Sequence, residues 1–220
     1  MPVYRYKKCF LIVLILASAS RARKKLLEQA CIEHKVMPAN ISEEEYFLSS
    51  IQETVKKLAI EKAEFIVRKI KCENFDYLFN ENSLAVLGCD SLFSFNGKIY
   101  GKPKDQQEAF DRWREMSGSF GFINTGHCLI SKNVITENSR LNQFNEYETI
   151  VISTKVHFSQ LTDSEIKKYI DTKEPFQCAG GFAIEGIAGL FIDSIEGCFS
   201  NVIGLSLPWL RNTLKKTYGI

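Results

Sequence analysis

Hydrophobic positions in this sequence recur with two periods, and the switches between them mark out the elements. Residues 9–16 form an unbroken apolar run rich in Ile, Val and Leu, the pattern of a first strand buried on both faces. From 20 to 30 the period is helical: Ser20 stands as an N-cap, and Leu26, Leu27 and Ala30 make an apolar stripe. A short strand near 33–37 leads to an acidic loop, Ser42-Glu43-Glu44-Glu45. A long helix is expected over 51–70, because Val55, Leu58, Ala59, Ala63, Ile66, Val67 and Ile70 share one face. Residues 84–89 read as a second buried strand, ending at Asp90. Asn96-Gly97 signals a tight hairpin between 92–95 and 98–100. A helix over 104–116 and strands over 121–131 and 149–158 follow, with a polar loop over 132–148 between the two strands. Thr162-Asp163-Ser164-Glu165 is a capping box that opens a helix to 171. After a Gly-rich stretch, 179–189, come a strand over 190–195 and a closing helix over 205–216, in which Pro208 fits only the first turn. Strands and helices mixed in this way predict an α/β fold; the pattern alone fixes no strand order.

Composition narrows the function. The 220 residues, 45% of them apolar, suit one unit with a substantial core. Lys plus Arg number 28 against 26 acidic residues, a net charge of +2 that is spread along the chain. A dedicated nucleic-acid binder gathers a stronger basic excess on one face, and the basic helix after Ser20 has no aromatic platforms beside it. No nucleic-acid partner is therefore expected; an anionic partner would be small and gripped by a few chosen cations. The seven cysteines form no CxxC pair and are odd in number, so reduced thiols in a cytoplasmic protein are expected rather than disulfides or zinc. Arg5, Lys7 and Lys8 before the first apolar run, and Ser18-Ala19-Ser20 after it, imitate a signal peptide. The run is too short to span a bilayer and reads as the buried strand, with no membrane partner.

Four stretches carry candidate chemistry. Around Leu16-Ala17-Ser18-Ala19-Ser20-Arg21-Ala22-Arg23-Lys24-Lys25 a buried strand stops, hydroxyls follow, and a helix begins with four cations about its first turn. Those cations oppose the helix dipole. The placement suits an anion cradled by backbone N–H groups, the serines and Arg23, or else a capped helix with a solvated basic face. Asp90, closing an apolar strand and followed by Ser91, stands where open α/β sheets present ligands. There it can hold Mg²⁺ or Mn²⁺ and activate a water, or simply cap the next turn. Gly101 and Pro103 bracket Lys102 as a phosphate contact requires, although the same tripeptide also makes an ordinary loop. Lys62 taken alone has the pattern of a solvated lysine. In Cys178-Ala179-Gly180-Gly181-Phe182-Ala183-Ile184-Glu185-Gly186 the glycines let backbone approach a ligand, and Glu185 offers acceptors to a base edge; a Gly-rich turn is the alternative. His34, His127 and His157 show neither metal spacing nor an adjacent nucleophile and read as structural.

In order and spacing these pieces resemble the Maf family of nucleotide pyrophosphatases. The likeness runs through Leu-Ala-Ser-Ala-Ser at 16–20, Arg23, Glu43, Leu58-Ala-x-x-Lys-Ala63 and Gly-Cys-Asp at 88–90. It continues through Gly-Lys-Pro at 101–103, Ser117-Gly118, Thr125-Gly126, Ala179-Gly-Gly-Phe182 and Asn201-Val-Ile-Gly-Leu205. The resemblance implies a mixed sheet with flanking helices, in two lobes around a deep cleft, related to the inosine-triphosphate pyrophosphatases. One such domain would span 1–220 and pair as a homodimer. The implied reaction is hydrolysis of a nucleoside triphosphate to monophosphate and pyrophosphate, with a divalent metal, Mg²⁺ or Mn²⁺, clearing modified or surplus nucleotides. Members are also linked to arrest of septum formation in bacteria, so the rival reading is a regulator of division that binds nucleotide without turning it over. By the resemblance, Asp90 is the catalytic carboxylate and metal ligand, with Glu43 assisting at the metal. Ser18, Arg23, Lys62 and Lys102 would hold the triphosphate.

The chain also departs from the family pattern. Where many members have Ser-Pro-Arg-Arg, it has Arg21 in place of the proline and Ala22 in place of the first arginine. The branch that cleaves dTTP and UTP usually has Thr after the catalytic Asp and Gln in the Gly-rich segment; here Ser91 and Glu185 stand there. Glu at that place is similar to the branch acting on 7-methyl-GTP, which carries Trp where Ala22 stands. Ala22, Ser91 and Glu185 are thus the positions where base preference is expected to be set, and the base itself stays unassigned.

Overall fold

The computed structural model describes residues 13–42, 50–72, 84–131 and 147–218; Glu43, Glu44 and Glu45 of the acidic loop, and residues 132–146 of the polar loop, lie outside the described residues. The first strand, β1 (Val13–Leu16), is buried at every position, with β2 (His34–Val36) parallel on one side and the start of β3 (Leu84–Phe95) parallel on the other. Parallel neighbours require long crossovers. Here α1 (Arg21–Gln29) connects β1 to β2, and α2 (Ile51–Cys72) leads on towards β3. At Asn96-Gly97, with φ of 47° and 76°, β3 turns back into β4 (Lys98–Tyr100), the positive φ pair that favours Asn-Gly in two-residue hairpins.

The remaining elements are α3 (Gln106–Met116), β5 (Phe120–Ser131), β6 (Glu148–Phe158), α4 (Asp163–Asp171), β7 (Ile192–Glu196), α5 (Phe199–Ile203) and α6 (Leu207–Tyr218). Together the strands make one mixed seven-stranded sheet in the order β2-β1-β3-β5-β6-β7, with β4 attached to β3. The expected mixed α/β sheet with flanking helices is what forms.

Side chains alternate across β3, and the three cores follow from that alternation. On one face Val86 meets α2, whose Ala59, Ala63, Ile66, Val67 and Ile70 also cover Cys128 and Ile130. On the other face Ala85, Leu87 and Cys89 pack with α1 through Leu26 and Leu27 and with α6 through Leu210 and Leu214. Further along that second face Phe93 and Phe95 enter an aromatic core with Trp113, Phe158, Tyr169 and Phe182. Two lobes thus share one sheet, and Ser91 stands between Cys89 and Phe93 where their cores part.

Several boundaries differ from expectation for local reasons. Asp90 does not end its strand: β5 pairs with β3 from Ala85 to Ser94, so the chain has partners well beyond the carboxylate. The helix expected from 104 starts at Gln106 because the Asp105 side chain accepts from Glu108 N. Residues 187–191 form a turn of 3₁₀-helix, which delays β7 to Ile192. Five residues are too few to show a period, and α5 escaped the sequence pattern; it ends at Gly204, whose φ of 112° suits only glycine.

Candidate active site

A stretch of β3 with only one neighbour makes the site. The last pair of β1 with β3 is Leu16 opposite Leu87, and β4 rejoins that edge only at Tyr100 opposite Phe93. Between them, residues 88–92 keep β5 on one side, while the other edge has no strand among the described residues. Ala17 N still donates to Leu87 O at 2.9 Å before the chain leaves the sheet into Ser18 and α1. The Cys89 carbonyl, left on the open edge, accepts instead from Arg23 Nη1 at 3.0 Å.

In the middle of this edge lies Asp90, 6% exposed, with Lys62 Nζ donating to its Oδ1 at 2.6 Å. The ion pair depends on how closely α2 is seated. A Cβ on Gly88 would fall 2.0 Å from Ala59 O, and one on Gly126, the β5 residue opposite Asp90, 2.0 Å from Val55 O. Two glycines inside strands therefore let the helix backbone touch the sheet. That contact turns Lys62, which the sequence pattern leaves in solvent, into a 7% exposed side chain facing a carboxylate. Such a buried pair is strongly coupled, because both charges are desolvated and each offsets part of the other's cost of burial.

On the opposite face a second network forms around Arg23, which is 8% exposed. Its Nε donates to Gly204 O at 2.8 Å, Nη1 to Ser18 Oγ at 2.9 Å, and Nη2 to Ser91 Oγ at 2.9 Å. The Ser91 and Thr125 hydroxyls lie 2.9 Å apart, and Thr125 Oγ1 donates to Asn201 O at 3.3 Å. Asn201 is anchored in turn through Nδ2 to Ile152 O and Thr154 Oγ1. Burial pushes the Cys89 thiol up to about 11 against the pull of both Arg23 and Lys62, so the fields of the two cations overlap at this point of β3.

The rim of the other lobe carries the remaining candidates. Lys102 is exposed in the turn after β4. That turn is tied to the Gly-rich segment, since Gly101 O accepts from Gly180 N at 3.2 Å and from Arg112 Nη1 at 2.7 Å. Burial raises the Cys178 thiol to about 11, with Glu185 and Glu174 adding to the rise and Lys102 opposing it, which places Lys102 and Glu185 around the same thiol. Glu174 fixes the segment by accepting from Ile187 N at 2.9 Å and Ala188 N at 3.0 Å. Ala22 is half-buried in the first turn of α1.

The structure therefore gathers Ser18, Arg23 and Ser91 in one network and Asp90 with Lys62 on the same stretch of strand. It sets the exposed Lys102 and Glu185 around the Cys178 thiol, and Glu43 lies outside the described residues. Among the described residues no three His, Cys, Asp or Glu side chains cluster as a metal cage. His127 proves structural in its contacts: its Nε2 accepts from Ser206 N at 2.9 Å at the start of α6. Burial, with the Arg23 charge, pushes this imidazole down to about 3.

Sequence reasoning assigned no role to Thr125, Asn201, Gly204 or the seating glycines, and it passed over Asn124. Asn124 lies two cross-strand pairs from Gly126, opposite Leu92, is 2% exposed, and its Oδ1 has no partner among the described residues. Gly88 and Gly126 were the available signal, because a glycine within a strand marks close approach of another backbone.

Comparison with known proteins matches most of the chain. A family model described as Maf-like protein matches residues 13–217. A nucleoside triphosphate pyrophosphatase of Prochlorococcus marinus (strain MIT 9312) is 50% identical over 206 residues, covering 93% of this chain and 98% of that protein. Proteins of the same name from strains MIT 9215 and NATL1A are 47% and 49% identical, covering 93% and 94% of this chain and 100% and 96% of their own. Matched by that model over residues 13–217 and half identical to such a pyrophosphatase over 93% of its length, the chain belongs to the Maf-like protein family.

Proposed function

We propose that this protein is a nucleoside triphosphate pyrophosphatase that hydrolyses a nucleotide to its monophosphate and pyrophosphate. The observation that carries the reading is Asp90, a carboxylate buried beside the open edge of β3 and held by Lys62 at 2.6 Å. Its setting is a chain half identical to proteins of that name.

In the reaction a water oxygen bonds to the α-phosphorus. The bond from that phosphorus to the α,β-bridging oxygen breaks, and pyrophosphate leaves with the electron pair. Fixed cations must meet the charge that grows on the leaving group. Lys62 is suited to this because its ammonium is already desolvated; an arriving phosphate exchanges one anionic partner for another. That exchange releases Asp90 Oδ1 to orient the water and take its proton. Ser18, held by Arg23 Nη1, meets the phosphates from the α1 side, and Lys102 meets them from the turn after β4. Mg²⁺ binds through one or two carboxylates together with substrate phosphates rather than in an all-protein cage, and Asp90 assisted by Glu43 fits that donor set. When bound, Mg²⁺ or Mn²⁺ supplies charge neutralisation and a more acidic water.

Base preference is read by Ala22, Ser91 and Glu185. Glu185, exposed on the rim, offers its carboxylate to the base edge, whereas Ser91 acts through Arg23 and Thr125. We place the enzyme in the cytoplasm as a homodimer of single-domain subunits that removes modified or surplus nucleotides. No described helix is long and apolar enough to cross a membrane.

The test is product analysis from dTTP, UTP, CTP, 7-methyl-GTP and inosine triphosphate, with Mg²⁺ or Mn²⁺ in ¹⁸O-water. Label in the monophosphate with pyrophosphate as co-product is expected. Diphosphate and inorganic phosphate as products would refute attack at the α-phosphorus. Binding without turnover by folded protein would favour the non-catalytic regulator.

A further inference from the structure

The direction of the hydrogen bonds around Arg23 separates two roles that a phosphate-binding motif would merge. Four of the five guanidinium N–H groups are already committed to Gly204 O, Ser18 Oγ, Cys89 O and Ser91 Oγ. All four acceptors are neutral, and among the described residues Arg23 has no carboxylate partner. A buried guanidinium so arranged has little left to donate to a ligand, yet no described carboxylate cancels its charge.

The two serines it holds differ in what remains to them. Thr125 gives its proton to Asn201 O, so the Ser91–Thr125 contact runs from Ser91 to Thr125, and the Ser91 proton is consumed. Ser18 Oγ accepts twice, from Arg23 Nη1 at 2.9 Å and from Ser20 N at 3.2 Å. Both of its lone pairs are then used, and among the described residues nothing takes its proton. We propose that Arg23 is a positioning residue: it spends its fork on the protein and fixes Ser18 as a one-way hydroxyl donor to a phosphate oxygen of the substrate. Gly204 makes the arrangement possible, because a Cβ there would meet Arg23 Nε at 3.1 Å. This inference rests on the pyrophosphatase reading for its substrate, but its geometry can be tested with the phosphate chain alone.

The experiment is a double-mutant cycle on the full chain, using inorganic tripolyphosphate with Mg²⁺ as the binding probe. The same variants are assayed for kcat and KM on the nucleotide that the wild type turns over fastest. A hydrogen bond to a charged group is worth about 1.5–3 kcal/mol, so Ser18→Ala should weaken binding roughly tenfold to a hundredfold. Arg23→Lys keeps the charge and loses the fork, and its loss should be similar. The double variant should fall no more than about threefold below the weaker single, because both changes remove one contact. Multiplying losses would show that Arg23 binds phosphate independently and would overturn the proposal. A lower melting temperature for Arg23→Lys with unchanged tripolyphosphate affinity would overturn it too, since that is a purely structural role. Should Arg23→Lys fail to fold, Ser91→Ala, which frees one arm of the fork, replaces it in the cycle with the same expectation. A wild type that binds tripolyphosphate without hydrolysing nucleotides removes the pyrophosphatase reading yet leaves the binding cycle decisive. A wild type that does neither overturns both.

Discussion

Replacing Gly88 by alanine probes the link between packing and chemistry. The added Cβ would lie 2.0 Å from Ala59 O, 2.9 Å from Ala63 N and 3.0 Å from Ala63 Cβ, so its obstacles are the backbone of α2 and a neighbouring methyl. A helix backbone cannot rotate aside as a side chain can. Bringing the shortest contact to 3.0 Å requires α2 and β3 to part by about 1 Å locally. Overpacking of this kind costs about 1–3 kcal/mol, and a rigid obstacle favours the upper end. For a chain of this size each kcal/mol lowers the melting temperature by about 2–4 °C, so a fall of roughly 6–12 °C is expected. Lys62 sits on the same turn of α2 as Ala59 and Ala63, 2.6 Å from Asp90. A displacement of about 1 Å there is expected to cost on the order of a hundredfold in turnover. Melting temperature by calorimetry, and kcat/KM measured well below it, check both halves. Gly101→Ala is the stability control, because its Cβ would meet nothing within 4 Å. If Gly88→Ala melted within 2 °C or so of wild type and kept kcat/KM within about threefold, close seating of α2 would not be what positions Lys62.

Three other outcomes are expected. His127 is neutral in the fold because burial lowers it from 6.5 to about 3, so the unfolded chain takes up the proton first as pH falls. Its contribution is complete above pH 6.5 and declines towards pH 3, amounting to a loss of about 2 kcal/mol by pH 5. Urea midpoints at pH 7.5 and 5 should show this loss in the wild type and a smaller one in His127→Gln; equal acid slopes would exclude His127 as the cause. Lys102→Gln should lower kcat/KM roughly tenfold and flatten its dependence on ionic strength; an unchanged salt profile would take Lys102 out of the phosphate site. Glu185→Gln, on an exposed rim, should alter the ranking of nucleotides with the melting temperature nearly constant; identical ratios of kcat/KM across the panel would remove it from base recognition.

Legibility in the sequence followed the range of the forces involved. Local signals were read well: the Ser20 cap accepts from Arg23 N, the Thr162–Glu165 capping box is complete, and Asn96-Gly97 makes its hairpin. Non-local consequences were not. Asp90 looked like a strand end because its polarity interrupts an apolar run, yet β5 pairing carries β3 through it. Lys62 looked solvated because burial there is decided by two glycines on other elements, 26 and 64 positions away in sequence as the numbers 88 and 126 show. The helix of Arg23 presents cations to its own N-terminus, which suggested a bound anion. The structure shows much of that guanidinium turned inward to four neutral acceptors from three separate stretches of the chain. Such convergence leaves no periodic trace for a sequence to display.

The most direct test of the account is turnover by Asp90→Asn, with binding measured alongside. The variant keeps the shape of the side chain but not its charge or basicity. Loss of a positioned general base removes about 10²–10⁴-fold of rate. Metal-dependent pyrophosphate release should therefore fall by about that factor while the purified variant stays folded. Affinity for a nucleotide analogue with an α,β-methylene bridge should hold or improve, since Lys62 is released from its carboxylate and repulsion of the phosphates is relieved. A folded Asp90→Asn protein that releases pyrophosphate at the wild-type rate would contradict the account, and the chemistry would have to be sought away from the open edge of β3.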